Sequence, residues 1–260
     1  MKETKIIAIA NQKGGVGKTT TAVNLAAGLA AQSKQVLCLD FDPQCNLRAY
    51  LGHRADDALT ITDYLFAKAS YRPLPPTDGL IRHSSCGIDY IPCSLALSKA
   101  DMVLAQAMFR ERILSDVLRA IVPADTYDYL IIDCNPSMGI LLTNALVAAS
   151  EVLIPVQTEE FAVSGLEDMM ELINIIRNQI NPSLRILGLL PTMVGRNNVS
   201  RDIILELRER YPELLMETRI SRSVEAPKST QRQQPLIGGK GRLSIEYETC
   251  TCEILHRLGG

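Results

Sequence analysis

The sequence predicts an α/β fold in which helices cover both faces of a mostly parallel, twisted sheet. Short apolar runs alternate with longer segments of helical period along most of the 260 residues. Two of these runs, residues 129–132 and 152–154, are apolar along their whole length, which is typical of parallel strands buried on both faces. Hydrophobic residues make up 47% of the chain, enough for one large core, so we expect a single domain over residues 1–260.

The predicted strands and helices follow one another in βα order. Each strand is a short apolar run, and in each helix apolar residues recur every three or four positions. We predict strands at 5–10, 35–41, 88–92, 127–133, 152–156 and 185–191. We predict helices at 19–32, 95–121, 139–149, 163–180 and 200–211.

Two segments lack this periodicity. Residues 71–79 are rich in proline, and we predict a surface loop there because the sheet pattern resumes directly afterwards. Residues 221–240 are rich in Pro, Gln, Arg and Gly, which predicts irregular structure, followed by a short closing helix at 245–258.

Composition excludes several classes of protein. A net charge of −2 and a pI near 6.0 give no global attraction to nucleic acid or anionic membrane, so any such contact needs a local patch. The seven scattered cysteines form neither a disulfide framework nor a zinc-type pair of Cys-x-x-Cys motifs. Residues 1–4 lack an apolar leader core, and no run of about 18 apolar residues could cross a bilayer. The sequence therefore predicts a cytoplasmic protein that does not bind membranes.

A glycine-rich segment lies between the first predicted strand and the first predicted helix. The common phosphate-binding pattern is a glycine, any four residues, and then Gly-Lys followed by Ser or Thr. The chain matches it at Gly17, Lys18 and Thr19 but carries Gln12 where the first glycine belongs. The glycines let the backbone curl so that its N–H groups face a phosphate chain. The predicted phosphate-binding residues are Gly14, Gly15, Val16, Gly17, Lys18, Thr19 and Thr20.

Three side chains of this segment have predicted roles at a bound nucleotide. Lys18 would reach the terminal phosphates, the Thr19 hydroxyl would ligate Mg²⁺, and Thr20 would add phosphate contacts. The positive end of the helix that opens at Lys18 would favour the same anion. The segment therefore predicts ATP and Mg²⁺ as cofactors.

Carboxylates follow two later strands. Asp40 and Asp42 share one face of the second predicted strand, because side chains alternate along a strand, and both could point towards the phosphates. Asp133 ends the apolar run 127–133, a position typical of a carboxylate that holds Mg²⁺ through water or the Thr19 hydroxyl.

These motifs together resemble those of the ParA/MinD superfamily of P-loop ATPases. Residues 13–20 resemble its deviant Walker A motif, whose extra lysine corresponds to Lys13 and crosses a dimer interface to the partner's phosphates. Residues 40–44 resemble its D-x-D-P-Q segment, which implies that Asp42 positions the attacking water and lies near Mg²⁺. Residues 133–137 resemble its D-C-P-P-S segment, with Asn135 in place of a proline.

The likeness continues through 144–146, 152–157, 161–165 and 188–193 and implies the P-loop NTPase fold. The implied catalytic residues are Lys13, Lys18 and Asp42, with Lys13 also touching nucleotide, and the implied metal ligands are Thr19, Asp42 and Asp133.

The same resemblance implies partners and a cellular role. A homodimer in the ATP state would bind DNA without sequence preference, and the candidate contacts are Arg196, Arg219 and Arg222. By position, Ser221 and Ser223 would lie near the adenine base, although this segment lacks the superfamily's second arginine. A ParB-like DNA-binding protein would stimulate hydrolysis, and the protein would partition a plasmid or chromosome at the nucleoid.

Two alternatives stay open at this point. The protein could be a cargo-positioning or regulatory adaptor of the same superfamily, switched by ATP without DNA binding. A membrane-bound regulator of MinD type is disfavoured, because residues 252–260 are short and carry a single arginine rather than a basic amphipathic helix.

Overall fold

The computed structural model describes residues 4–52, 58–159 and 162–259, and in these residues it forms one sheet flanked by helices. Residues 1–3, used above in judging the leader, and Phe161, part of the resemblance, lie outside the described residues. The strands are β1 Lys5–Ile9, β2 Val36–Phe41, β3 Arg82–His83, β4 Asp89–Ile91, β5 Tyr129–Cys134, β6 Glu151–Gln157 and β7 Arg185–Thr192. Their order across the sheet is β3-β4-β2-β5-β1-β6-β7. All neighbouring pairs are parallel except β3 with β4 at one edge, so the predicted mostly parallel α/β fold is confirmed.

Helices pack on both faces of this sheet. Alternate side chains of β1 enter two separate apolar clusters, Ile7 and Ile9 on one face and Ala8 on the other, as the two-residue period of a strand requires. No helix among the described residues combines the length and the apolar character needed to cross a membrane. The helices are α1 Lys18–Ala31, α2 Asn46–Tyr50, α3 Ile61–Ala69, α4 Ala100–Leu104, α5 Ile113–Ile121, α6 Ile140–Ala148, α7 Ala162–Gln179, α8 Asn198–Arg210, α9 Glu225–Arg232 and α10 Arg242–Arg257.

The single helix predicted at 95–121 is wrong. The segment contains a 3₁₀ turn at Leu95–Lys99, then α4, a second 3₁₀ turn at Arg110–Arg112, and α5. Phe109 has φ 53°, a left-handed conformation that interrupts a right-handed helix. The side chain of Asn144 on α6 then fixes the break, because its Oδ1 accepts from Leu114 N at 2.9 Å and its Nδ2 donates to Arg110 O at 2.8 Å.

Three short helices were missed by the periodicity argument. One is α9, which lies inside the segment 221–240 that was predicted to be irregular. Another is α3, for which the spacing of Thr60 and Asp63 was a signal in the sequence. These residues form a capping box in which the Thr60 N–H donates to Asp63 Oδ2 at 2.8 Å. The third is α2, which is only five residues long. Residues 71–79 form neither helix nor strand, as predicted.

Candidate nucleotide-binding site

The glycine-rich segment forms a loop that curls over the amino end of α1. Gly15 has φ 76° and Gly17 has φ 90°, conformations that glycine adopts without the steric cost of a Cβ atom. Gly17 directly precedes α1, and no side chain of the described residues caps this helix. The N–H groups of its first turn therefore remain available to an anion.

One local and two long-range hydrogen bonds hold the loop in place, and sequence reasoning did not find them. Asn11 donates from Nδ2 to Pro155 O at 2.7 Å and accepts the Lys13 N–H at 2.9 Å. The Thr192 hydroxyl donates to Val16 O at 2.9 Å. The loop is thereby tied to β6 and β7, next to the place where the phosphates would lie.

Gln12, which replaces the usual glycine, docks the loop onto α7. Its Nε2 donates to Gly165 O at 2.9 Å and to Asp168 Oδ2 at 3.1 Å. The departure from the common pattern therefore has a structural role at this position, because the amide links the loop to a helix that a glycine could not reach.

Lys18 is buried at the centre of the loop. Its Nζ donates to Asn11 O at 3.1 Å and to Lys13 O at 3.0 Å. Burial lowers the pKa of Lys18, and the carboxylates of Asp133 and Asp42 act in the opposite direction. A phosphate chain would supply the negative charge that this buried ammonium group lacks.

Strand order brings the carboxylates to the loop. β5 lies between β1 and β2, and in the register Asp133 pairs with Ile9 on one side and with Asp40 on the other. Asp133 is thus adjacent to the strand that leads into the loop. Asp42 lies just beyond the end of β2, and its Oδ1 accepts the Gln44 N–H at 3.0 Å. Parallel pairing therefore brings Asp133 to Asp40 and Asp42, about 90 residues earlier in the sequence, at the carboxyl ends of neighbouring strands.

Asp133 is the most unusual group of the site. It is fully buried, and neither of its carboxylate oxygens makes a hydrogen bond of ordinary geometry within the described residues. Burial raises the pKa of Asp133 well above its usual range, with Asp40 adding to the shift and the Thr19 hydroxyl and Lys18 opposing it. A buried carboxylate without donors is costly, so the donor set Thr19, Asp42 and Asp133 fits Mg²⁺, which prefers hard oxygen ligands.

Asp40 supports this arrangement from the interior. Its Oδ2 accepts the Arg48 N–H at 3.1 Å, which fixes the start of α2 to the end of β2. Burial raises the pKa of Asp40 to about 7. The charge of Asp40 therefore depends on its surroundings, and a cation bound at Asp133 would favour the ionised carboxylate.

A cavity of about 480 Å³ opens over the loop. Every predicted phosphate-binding residue except Val16 contributes to its walls, and so does Asp42. The remaining wall residues come from residues 44–50, from Pro136 and Met193, and from α9, which contributes Ala226, Pro227 and Thr230. The predicted phosphate and water-positioning groups are thus brought together around one space.

The two serines predicted near adenine do not line this cavity. The Ser221 hydroxyl donates to Glu246 Oε1 at 2.6 Å, and Ser223 Oγ accepts the Glu225 N–H at 3.1 Å. Both side chains therefore have structural partners in this state, and the adjacent α9 supplies the wall instead.

The cationic candidates lie at the surface. Lys13 is 42% exposed, and its Nζ lies 3.7 Å from a carboxylate oxygen of Glu159. The guanidinium group of Arg222 lies 3.6 Å from the other carboxylate oxygen of Glu159. The backbone N–H of Arg222 donates to Val194 O at 3.2 Å. Arg196 and Arg219 are also exposed. Arg222 and Lys13 thus share one acidic partner, whereas Arg219 lies on the segment that leads up to Ser221.

The backbone conformation of the loop leads to a stability prediction. Changing Gly17 to alanine should lower the free energy of unfolding by about 1–2 kcal/mol, the cost of a left-handed L residue, although no atom lies within 4 Å of the added Cβ. Gly14→Ala is the matched control, because Gly14 has equal space and no positive φ. Urea unfolding without nucleotide measures both, and equal effects of the two changes would contradict the conformational explanation.

Comparisons with known proteins agree with this geometry. The family described as an AAA domain matches residues 4–186. The chain is 37% identical over 235 residues to the chromosome partitioning protein ParA of Caulobacter vibrioides, covering 90% of this chain and 86% of that protein. It is 38% identical over 235 residues to the sporulation initiation inhibitor protein Soj of Bacillus subtilis, covering 90% of each.

A solved structure with bound nucleotide has a similar fold. Cobyrinic acid a,c-diamide synthase from Mycobacterium smegmatis, crystallised with an ATP analogue and magnesium, matches with a TM-score of 0.83 and 31% identity, covering 99% of this chain and 97% of that one. The extent of these similarities, together with the curled glycine loop and its three carboxylates, shows that the chain belongs to the ParA-type family of partition ATPases.

Proposed function

We propose that this protein hydrolyses ATP, dimerises when ATP is bound, and partitions a plasmid or chromosome as a single-domain switch. The observation that carries the proposal is the convergence of Lys18, Thr19 and Asp42 on one cavity, with Asp133 buried behind it and Lys13 at the surface. The relatives named ParA and Soj support the partitioning role.

The residues of the cavity divide the work of phosphoryl transfer. The N–H groups of residues 14–17 would bind phosphate oxygens, and Lys18 would exchange its two carbonyl partners for the terminal phosphates. Mg²⁺, held by Thr19, Asp42 and Asp133, would neutralise charge on these phosphates. Asp42 would orient a water whose oxygen attacks the terminal phosphorus, breaking its bond to the bridging oxygen and releasing ADP and phosphate.

Lys13 is proposed to act on the partner subunit. Its side chain is half-exposed at the nucleotide end of the sheet, with Glu159 as a loose partner at 3.7 Å, and an exposed pair of this kind contributes little stability. If a second protomer faced this end of the sheet, Lys13 of one protomer would lie over the phosphates bound by the other. The added cation would stabilise negative charge as the terminal phosphoryl group leaves.

DNA binding is proposed for the ATP form, through Arg196, Arg219 and Arg222. Their exposure supports contact with phosphates, and dimerisation would double the number of arginines on one surface. A ParB-like DNA-binding protein would stimulate hydrolysis and release the dimer from DNA. The protein would then work at the nucleoid in the cytoplasm, without a membrane.

A gel-shift titration with nonspecific duplex DNA tests this proposal. Binding should require Mg·ATP and weaken steeply with salt, because each phosphate contact contributes about −0.9 to the slope of log affinity against log salt. The triple change of Arg196, Arg219 and Arg222 to alanine should reduce both affinity and salt slope. Arg119→Ala is the control. Arg119 is 77% exposed and lies on α5 beside Thr4, which precedes β1. It is therefore at the opposite end of β1 from the phosphate loop.

The same titration separates the proposal from its rival. An ATP-switched adaptor without DNA contact would bind no duplex even at low salt while still hydrolysing ATP. A triple variant that binds as well as the unchanged protein would mean that other residues contact the DNA.

A further inference from the structure

Two buried cysteines meet beside the turn that carries Asp42. Cys45 directly precedes α2, and Cys93 lies two residues beyond β4. β2 and β4 are parallel neighbours with Leu39 opposite Ile91, so the segments that leave their carboxyl ends lie side by side. The Sγ atoms of Cys45 and Cys93 are 3.3 Å apart. Both residues are buried, at 4% and 0% exposure.

The pair is bonded directly to the Asp42 backbone. The Cys93 thiol donates to Asp42 O at 3.0 Å, and the Cys45 N–H donates to the same oxygen at 2.8 Å. The turn from Asp42 to Cys45 is therefore held by the backbone N–H of Cys45 and by a side-chain donor at position 93. Cys45 also has φ 53°, a left-handed conformation unusual for a residue with a side chain. The position tolerates a cysteine although glycine would be the relaxed choice.

We propose that Cys45 and Cys93 are an oxidation site, and that a reversible disulfide between them slows ATP hydrolysis by displacing the Asp42 turn. A disulfide has an S–S length of about 2.05 Å, so the sulfur atoms must approach by roughly 1.2 Å from their separation of 3.3 Å. The oxidised Cys93 sulfur carries no hydrogen, so Asp42 O loses one of its two donors. The regulatory part of this inference rests on the proposed ATPase function.

The chemistry balances with a peroxide as oxidant. One thiol reacts with hydrogen peroxide to give a sulfenic acid and a water molecule. The sulfur of the second thiol attacks the sulfenic sulfur, the S–S bond forms, and a second water leaves with the remaining thiol hydrogen. A small dithiol reverses the bond by exchange, being oxidised as both protein thiols are restored.

The nucleotide cavity is the route by which an oxidant would reach the pair. Gln44 and Asn46, the neighbours of Cys45 in sequence, both line the cavity. Bound Mg·ATP should therefore slow the oxidation. The displaced Asp42 turn should also weaken Mg·ATP binding, and by linkage bound ATP would then shift the equilibrium towards the two thiols by the same factor.

Peptide mapping tests the bond itself. The full chain carrying Cys86→Ser and Cys252→Ser, which removes the two cysteines outside the core, is treated with hydrogen peroxide, alkylated and cut with trypsin. Peptides 35–48 and 83–99 should be linked, and fragmentation should place the link at Cys45 rather than Cys38. Mg·ATP should reduce the yield. Failure of the link to form while sulfenic or sulfinic acid accumulates on either thiol would overturn the proposal, and so would a link at Cys38.

Rates and affinities test the consequence of the bond. The oxidised protein should hydrolyse ATP at about one tenth of the reduced rate or lower, because a displacement near 1 Å can cost up to about 100-fold in rate. Dithiothreitol should restore the rate. Cys93→Ser keeps a hydroxyl donor for Asp42 O, Cys45→Gly suits the left-handed conformation, and both variants should hydrolyse ATP at an unchanged rate before and after peroxide. A complete disulfide that alters neither hydrolysis nor Mg·ATP affinity by calorimetry would refute the switch. If the reduced protein did not hydrolyse ATP at all, the proposed function would be contradicted. The Mg·ATP affinities of reduced and oxidised protein, measured by calorimetry, would then be the remaining test of the switch.

Discussion

Replacing Lys18 by alanine should abolish Mg·ATP binding at millimolar nucleotide and lower hydrolysis by about 100-fold or more, the effect of removing one preorganised charge donor. Lys18 is buried in the loop with its ammonium group held by two backbone carbonyls. No other cation of the described residues lies among the walls of the cavity. Equilibrium binding and steady-state phosphate release measure the two effects.

The same change should leave the fold intact. Burial lowers the pKa of Lys18, which means that the folded protein holds the ammonium group at a cost, so the alanine variant should unfold at an equal or higher urea concentration. Lys34→Ala is the control, because Lys34 follows the opposite end of α1, about 20 Å away along a helix of this length. A stable Lys18→Ala protein that still hydrolyses ATP would refute the assigned site.

Replacing Asp42 by alanine should slow hydrolysis by roughly 100-fold or more, within the range for loss of a positioned acid or base, while ATP stays bound. The side chain lines the cavity and accepts the Gln44 N–H at 3.0 Å. Asp42→Asn keeps an oxygen for that bond and removes the charge, so it separates the turn from the chemistry. Single-turnover hydrolysis and calorimetric ATP binding measure both variants.

The two Asp42 variants distinguish two roles of this side chain from the absence of either. If both are slow, the carboxylate charge orients the water or its metal. If only alanine is slow, the side chain serves the turn. If both hydrolyse normally, the water is positioned by another group, and the assignment carried over from the superfamily motif is wrong for this chain.

The strands and the phosphate loop could be predicted because their signals are local. A buried parallel strand is apolar throughout, and a loop of three glycines followed by Lys18 and Thr19 has few other uses. The order of Asp42 and Asp133 along the chain was enough to place them at one sheet edge, since parallel strands end together.

Other features depend on contacts between distant residues and gave no local signal. The break before α5 is fixed by Asn144, 30 residues from its partner Leu114. The loop is anchored by Thr192, 176 residues from Val16. Ser221 and Ser223 were placed near the base by position alone, and the partner of Ser221, Glu246, lies on a helix beyond the segment considered. Short helices such as α9 escape a periodicity argument because eight residues span barely two turns.

The central claim is that ATP binding drives dimerisation through Lys13, and sedimentation velocity with Mg·ATP tests it most directly. Asp42→Ala protein, in which hydrolysis is slow, should be monomeric without nucleotide and dimeric with Mg·ATP. Adding Lys13→Ala should leave it monomeric while calorimetry still detects bound ATP, whereas Lys99→Ala, an exposed lysine on another element, should change neither. A Lys13→Ala protein that dimerises with ATP as readily as its parent would contradict the claim.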